Sequence, residues 1–320
     1  EMNAGLRLPP ARVAKAATAH WALTRLGPDH RCPTRLLATG PVVNGRIEGD
    51  LILQGGGDPI LDTDALGAMV AELKAGGVSA VAGAFRVDAS ALPAIPFIDP
   101  GQPEHVGYNP AISGLNLNFN RVHFEWRRGS SGYNVTMQAR AEKYRPNVQI
   151  ARMAIAERAL PIYTYESRGG VDRWTVARKA LGAEGSRWLP IKQPADYTAE
   201  VFVTLARSQG LSLERGADAP AAAGTVLVTH QSPSLSSILK GMLRYSTNLT
   251  AEAVGLAATQ SSGVAPGRLF RSAREMNVWL NHDLGTRACG FVDHSGLGYG
   301  ARVSPADMVY LLQNARTIGA

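Results

Sequence analysis

The hydrophobic periodicity of this chain changes twice, from helical to alternating and back, and this constrains its fold more than any other feature. Val13, Ala16, Ala17, His20, Trp21 and Leu23 recur at helical spacing before a stop at Gly27-Pro28, which predicts a helix of about four turns. Arg35 to Ala38 and Leu51 to Gln54 then read as short strands flanking a turn at Asn44-Gly45. Gly55-Gly56-Gly57-Asp58-Pro59 closes the second strand. It lacks the spacing and the lysine of a phosphate-binding loop, so it reads as a turn. Leu66, Met69, Val70 and Leu73 form an amphipathic helix ended by Gly76-Gly77, and Val81 to Val87 alternates as a strand. Residues 93–132 are rich in Pro, Gly and Asn and read largely as loop, but strand-like pieces at 122–126, 135–139, 148–154 and 162–165 make the middle β-rich.

Helical spacing returns at 199–209, closed by Gly210, and 216–224 reads as a linker before a strand at 225–229. The next helix is expected to be capped by Ser232 with Pro233 at its first position, and it carries Leu235, Ile238, Leu239, Met242 and Leu243 on one face. Another is expected over 271–284, and a last one has Ser304 as cap, Pro305 at its first position and Asp307 at its third. Helical ends around a β-rich middle predict one α/β domain, residues 1–60 and 225–320, interrupted by an insertion at 61–224.

At 320 residues, 45% of them hydrophobic, the chain can bury a sizeable core. No run approaches the roughly 18 apolar residues of a membrane-spanning helix. Glu1-Met2-Asn3 has no signal-peptide pattern, so any export signal is expected to have been removed or left out. The net charge of +7 would favour an anionic partner, but the basic residues are scattered, with neither the stripe nor the aromatic interleaving of a nucleic-acid surface. The seven histidines have no metal-ligand spacing, and Cys32 and Cys289 read as two buried thiols, a disulfide being the alternative in an oxidising compartment. The five tryptophans are dispersed and read as core.

Two stretches carry chemistry. Pro9-Pro10-Ala11-Arg12-Val13-Ala14-Lys15 opens the first helix, and with serine at position 12 it would be a Ser-x-x-Lys motif, a hydroxyl and an amine one helical turn apart. Ser246-Thr247-Asn248 places a hydroxyl and an amide on one side of a loop, which suits a proton relay beside a group that holds a carbonyl. Ser295, in Asp293-His294-Ser295-Gly296, lacks the nucleophile elbow of a hydrolase triad.

These stretches, with Gly49-Asp50-Leu51, Gly57-Asp58-Pro59, Ala251-Glu252 and Asp293-His294-Ser295-Gly296-Leu297, occur in the order found in one family. The chain resembles the D-alanyl-D-alanine carboxypeptidase/endopeptidases of the class C low-molecular-mass penicillin-binding proteins. The resemblance includes Val87-Asp88-Ala89-Ser90 and Asn116-Leu117-Asn118 with Asn120. It implies a penicillin-binding-protein transpeptidase-like (β-lactamase-like) domain interrupted by a large β-rich insertion, a periplasmic location and no cofactor. It implies acyl transfer from a peptidoglycan stem peptide to serine and then to water. Lys15 matches the family's basic lysine, and Ser246 and Asn248 match its proton relay and substrate-orienting amide.

Two departures follow. Arg12 stands at the nucleophile's place, and a guanidinium is always protonated and has no lone pair with which to attack an acyl carbon. Thr18, one turn deeper on the same face, is not expected to replace it. No Lys-Thr-Gly or Lys-Ser-Gly follows Asp293, and few residues precede Arg12. Uncovered sheet edges would then call either for more chain or for a protein partner. The expectation is an inactive relative that binds β-lactams only if a serine nucleophile is present. The alternative is a non-catalytic envelope protein that binds peptidoglycan or scaffolds a complex.

Overall fold

A computed structural model of the chain describes residues 3–287 and 289–317. In chain order, a 3-10 turn leads into α1 (Ala14–Leu26), followed by β1 (Pro33–Ala38), β2 (Val42–Val43), β3 (Arg46–Ile47), β4 (Leu51–Gln54), α2 (Thr63–Ala75), β5 (Ala80–Val81) and β6 (Phe85–Asp88). The middle contributes β7 (Arg121–Gly129), β8 (Gly132–Gln138), β9 (Ala151–Ala156), β10 (Tyr163–Arg168), β11 (Val171–Ala177), β12 (Glu184–Pro190), α3 (Pro194–Ser208) and β13 (Thr225–Gln231). The chain closes with α4 (Leu235–Tyr245), α5 (Asn248–Ser261), α6 (Leu269–Val278) and α7 (Pro305–Thr317).

Two compact units result, one of residues 1–32 with 233–320 and one of residues 33–232. The expected boundaries, at 60/61 and 224/225, would have separated β1 and β4 from the insertion. Strand pairing puts them inside it: the main sheet runs β13-β1-β4-β6, so β1 is hydrogen-bonded to strands on both sides. Leu36, Leu53, Val87 and Val228 form a buried ladder across its four strands. α2 is the crossover between the parallel strands β4 and β6 and buries Leu66, Met69, Val70 and Leu73. α3 adds Phe202, stacked on Phe85 at 5.0 Å. Two three-stranded sheets, β12-β7-β8 and β10-β11-β9, complete this unit's regular structure along with the short β2-β3-β5 ribbon.

Several local expectations shift for identifiable reasons. Asn44-Gly45, both at positive φ, turn the β2–β3 ribbon, while β1 and β4 pair directly with each other. The strand expected over 81–87 is two strands, because β5 joins β3 and β6 joins β4. β11 and β12 lie where no strand was expected. α4 starts later than expected because Ser234, not Ser232, is its cap, accepting from the Ser237 N–H at 3.4 Å. The helix expected over 271–284 ends as a π turn at Trp279–Asp283, where the Leu284 N–H reaches the Trp279 carbonyl at 2.9 Å. α7 begins as expected, with the Ser304 hydroxyl accepting from the Asp307 N–H at 3.1 Å.

The first unit is helical. α5 was not anticipated as a helix at all, because ten of its fourteen residues are buried and it shows little one-sided pattern. Trp21, Trp174 and Trp279 are core, but Trp126 and Trp188 are partly exposed on the β12-β7-β8 sheet. Cys32 and Cys289 are buried thiols. No helix among the described residues is long and apolar enough to cross a membrane.

Candidate active site

The start of α1 is shaped by Pro10 and the 3-10 turn Ala11–Val13. Arg12 lies exposed on that turn, whereas Lys15, in the first turn of α1, is only 2% exposed. Gly296 packs against this start with φ of 74°, and a Cβ there would overlap the Ala11 carbonyl, so the 293–298 segment requires glycine.

Lys15 Nζ donates to Asn248 Oδ1 at 2.7 Å and to the Ser295 carbonyl at 2.8 Å. Asn248 opens α5, and Ser246 ends α4 in the left-handed region (φ 56°, ψ 44°). The Ser246 Oγ is buried with no hydrogen-bond partner among the described residues. The structure therefore brings Lys15 and Asn248 into direct contact, places Ser246 in the turn beside Asn248, and leaves Arg12 at the surface. Thr18 is engaged elsewhere, its hydroxyl donating to the His294 carbonyl at 2.7 Å.

Sequence reasoning marked Glu252, Asp293, His294 and Ser295 without giving them a role at Lys15. Glu252 follows Asn248 by four residues, hence on the same face of α5. It is fully buried and accepts from the N–H groups of His294 (3.0 Å) and Ser295 (2.8 Å). Asp293 accepts from the N–H of Gly296 (2.6 Å) and of Gly298 (2.5 Å). The His294 Nε2 lies 2.7 Å from the Ser272 hydroxyl. Gly255 makes room for that imidazole, since a Cβ there would overlap the ring. The segment whose carbonyl holds Lys15 is thus fixed from α1, α5 and α6. The i, i+4 spacing from Asn248 to Glu252 was the available signal.

Burial lowers the Lys15 pKa to about 8; the Glu252 and Asp293 carboxyls act against this and Arg12 acts with it. Glu252 and Asp293 are both pushed up, chiefly by burial. Burial also depresses His294, to about 3, so its imidazole is neutral. An amine that titrates near neutrality, held by two acceptors, can take a proton from a neighbouring hydroxyl.

A model of the D-Ala-D-Ala carboxypeptidase 3 (S13) family matches residues 1–318. This chain belongs to that family. A D-alanyl-D-alanine carboxypeptidase of Actinomadura sp. (strain R39) is 28% identical over 337 residues, which cover 98% of this chain and 61% of that protein. The chain therefore spans about three fifths of that relative's length. Penicillin binding protein 4 (dacB) of Haemophilus influenzae is similar with a TM-score of 0.77 and 20% identity, covering 97% of this chain and 70% of that one. The same protein complexed with a β-lactam also gives 0.77 at 20% identity, over 99% and 71%. At that identity the likeness is one of fold: this chain has the α/β penicillin-binding-protein fold with a large insertion, as expected.

Proposed function

We propose that this protein meets peptidoglycan in the periplasm and keeps the stem-peptide site of its family without acyl-serine turnover. The observation that carries the reading is the Lys15 amine, buried, lowered to about 8 and bonded to Asn248, with an exposed arginine three residues before it. In the family's reaction a serine at position 12 would lose its proton to Lys15 and attack the carbonyl of the penultimate D-alanine. The terminal D-alanine would leave, and water would then release the acyl group. Ser246 would relay the proton and Asn248 would hold the substrate amide. Arg12 offers no nucleophile, so the first step has no electron pair to begin it. Removing the nucleophile of a serine protease lowers turnover by about 10⁶.

Incubation of the full chain with fluorescent penicillin followed by a denaturing gel tests this. No labelled band and no D-alanine release from a pentapeptide are expected, and a covalently labelled band would overturn the reading.

A second reading is favoured by Arg12 itself, whose guanidinium is exposed and makes no hydrogen bond or ion pair among the described residues. In that reading the cation holds a substrate carboxylate and the protein is a non-catalytic binder. Calorimetry with a stem peptide and with its C-terminal amide would separate the two readings: binding that is lost with the amide and in Arg12→Gln supports the binder.

A further inference from the structure

In the second unit, Asn118, Phe119 and Asn120 all have positive φ (51°, 58° and 51°), three successive residues in a region that L-residues disfavour. Buried amides hold the turn in place. Asn120 accepts from the Leu117 N–H (3.0 Å) and donates to the Ala111 carbonyl and Asn116 Oδ1 (both 2.8 Å). Asn118 accepts from the Thr63 N–H (3.2 Å) and donates to its hydroxyl (2.8 Å). The turn presents Phe119, whose ring lies 5.0 Å from the Arg121 guanidinium, and the Trp188 ring of β12 lies 5.4 Å from the same group.

Arg121 is unusual in what it lacks. Its Nε is buried without a hydrogen-bond partner, and no carboxylate pairs with it among the described residues. A guanidinium that serves only packing ordinarily has its donors satisfied. Here two rings lie against the group while its Nε proton has no acceptor, and burial acts against its charge. All three side chains are partly exposed. Arg140, 3.3 Å from the His123 ring that packs edge-on against Trp188, is already paired with Glu125 at 2.8 Å. One unpaired charge suits a monoanion better than a phosphate dianion.

We propose that Arg121, packed against Phe119 and Trp188, is a carboxylate-binding subsite of the insertion, and that it takes a stem-peptide carboxylate in a bidentate pair. Its assignment to peptidoglycan rests on the reading above; its anion chemistry does not. The test is NMR of the full chain labelled with 15N-arginine and 15N-tryptophan, titrated separately with acetate, inorganic phosphate and a soluble disaccharide-tetrapeptide. The Arg121 side-chain resonances, assigned by their loss in Arg121→Lys, are expected to shift and saturate with acetate and with the muropeptide. Phosphate should bind about tenfold more weakly. Arg121→Lys and Trp188→Ala should weaken binding about tenfold, read at the Trp188 indole N–H in the first and at Arg121 in the second, while Trp188→Phe, which keeps a ring, retains it. Resonances unmoved by acetate and muropeptide would make this cluster purely structural and overturn the proposal. Tighter binding of phosphate would overturn the carboxylate assignment. Acetate binding without muropeptide binding would overturn the stem-peptide assignment while leaving the anion subsite standing.

Discussion

The protonation of Lys15 can be tested directly. The chain has only six lysines, so a sample labelled with 13C-lysine gives few Cε–Hε signals, and Lys15→Arg identifies the relevant one. An ordinary lysine at 10.5 is about 0.03% neutral at pH 7, whereas one at about 8 is about 9% neutral, a difference of about 300-fold. That gain comes from burial at 2% exposure, in part opposed by the Glu252 and Asp293 carboxyls. The Lys15 signal is therefore expected to titrate near pH 8. Arg12→Gln, which removes a neighbouring cation, should move it upward. Glu252→Gln removes an opposing carboxyl and should move it downward. A wild-type signal titrating above pH 10 would mean that the amine is hydrated and charged, and would refute the argument that this site retains a base.

Three further outcomes are expected. Arg12→Ser in the full chain should restore labelling by fluorescent penicillin at a rate that rises with pH through the Lys15 titration; a pH-independent rate would remove Lys15 as the base. Gly255→Ala should destabilise the protein by about 1–3 kcal/mol in urea melts, because its Cβ would overlap the His294 ring. Asp58 is raised to about 6 by burial, so its neutral form contributes stability fully present below its unfolded value near 3.8 and lost as pH rises through 6. Asp58→Asn should accordingly match wild type near pH 4 and exceed it by on the order of 3 kcal/mol above pH 7, measured by denaturation at both values.

Elements whose determinants lie within a few residues were legible in the sequence. α1 with its glycine stop, α2 with its one-sided apolar face and α7 with its Ser304 cap all follow from local spacing and capping chemistry. The structure also brings Lys15 to Asn248, two residues that the order of short motifs had marked. The misreadings have a common origin in contacts from far along the chain. α5 hides its helical period because it is buried almost all round. β1 and β4 belong to the insertion because β13, nearly two hundred residues on, closes their sheet.

By itself, then, the sequence determined which functional groups are present: a lysine, a serine and an asparagine in family order, and an arginine three residues before the lysine. Only the tertiary structure decided what state those groups are in. The acceptors of Lys15 lie 233 and 280 residues away, and the Glu252 carboxyl that orients the second of them is buried by packing that no local pattern records. Desolvation depends on everything that surrounds a group, so the proton affinity of the Lys15 amine and the exposure of Arg12 exist only once the chain has closed around them.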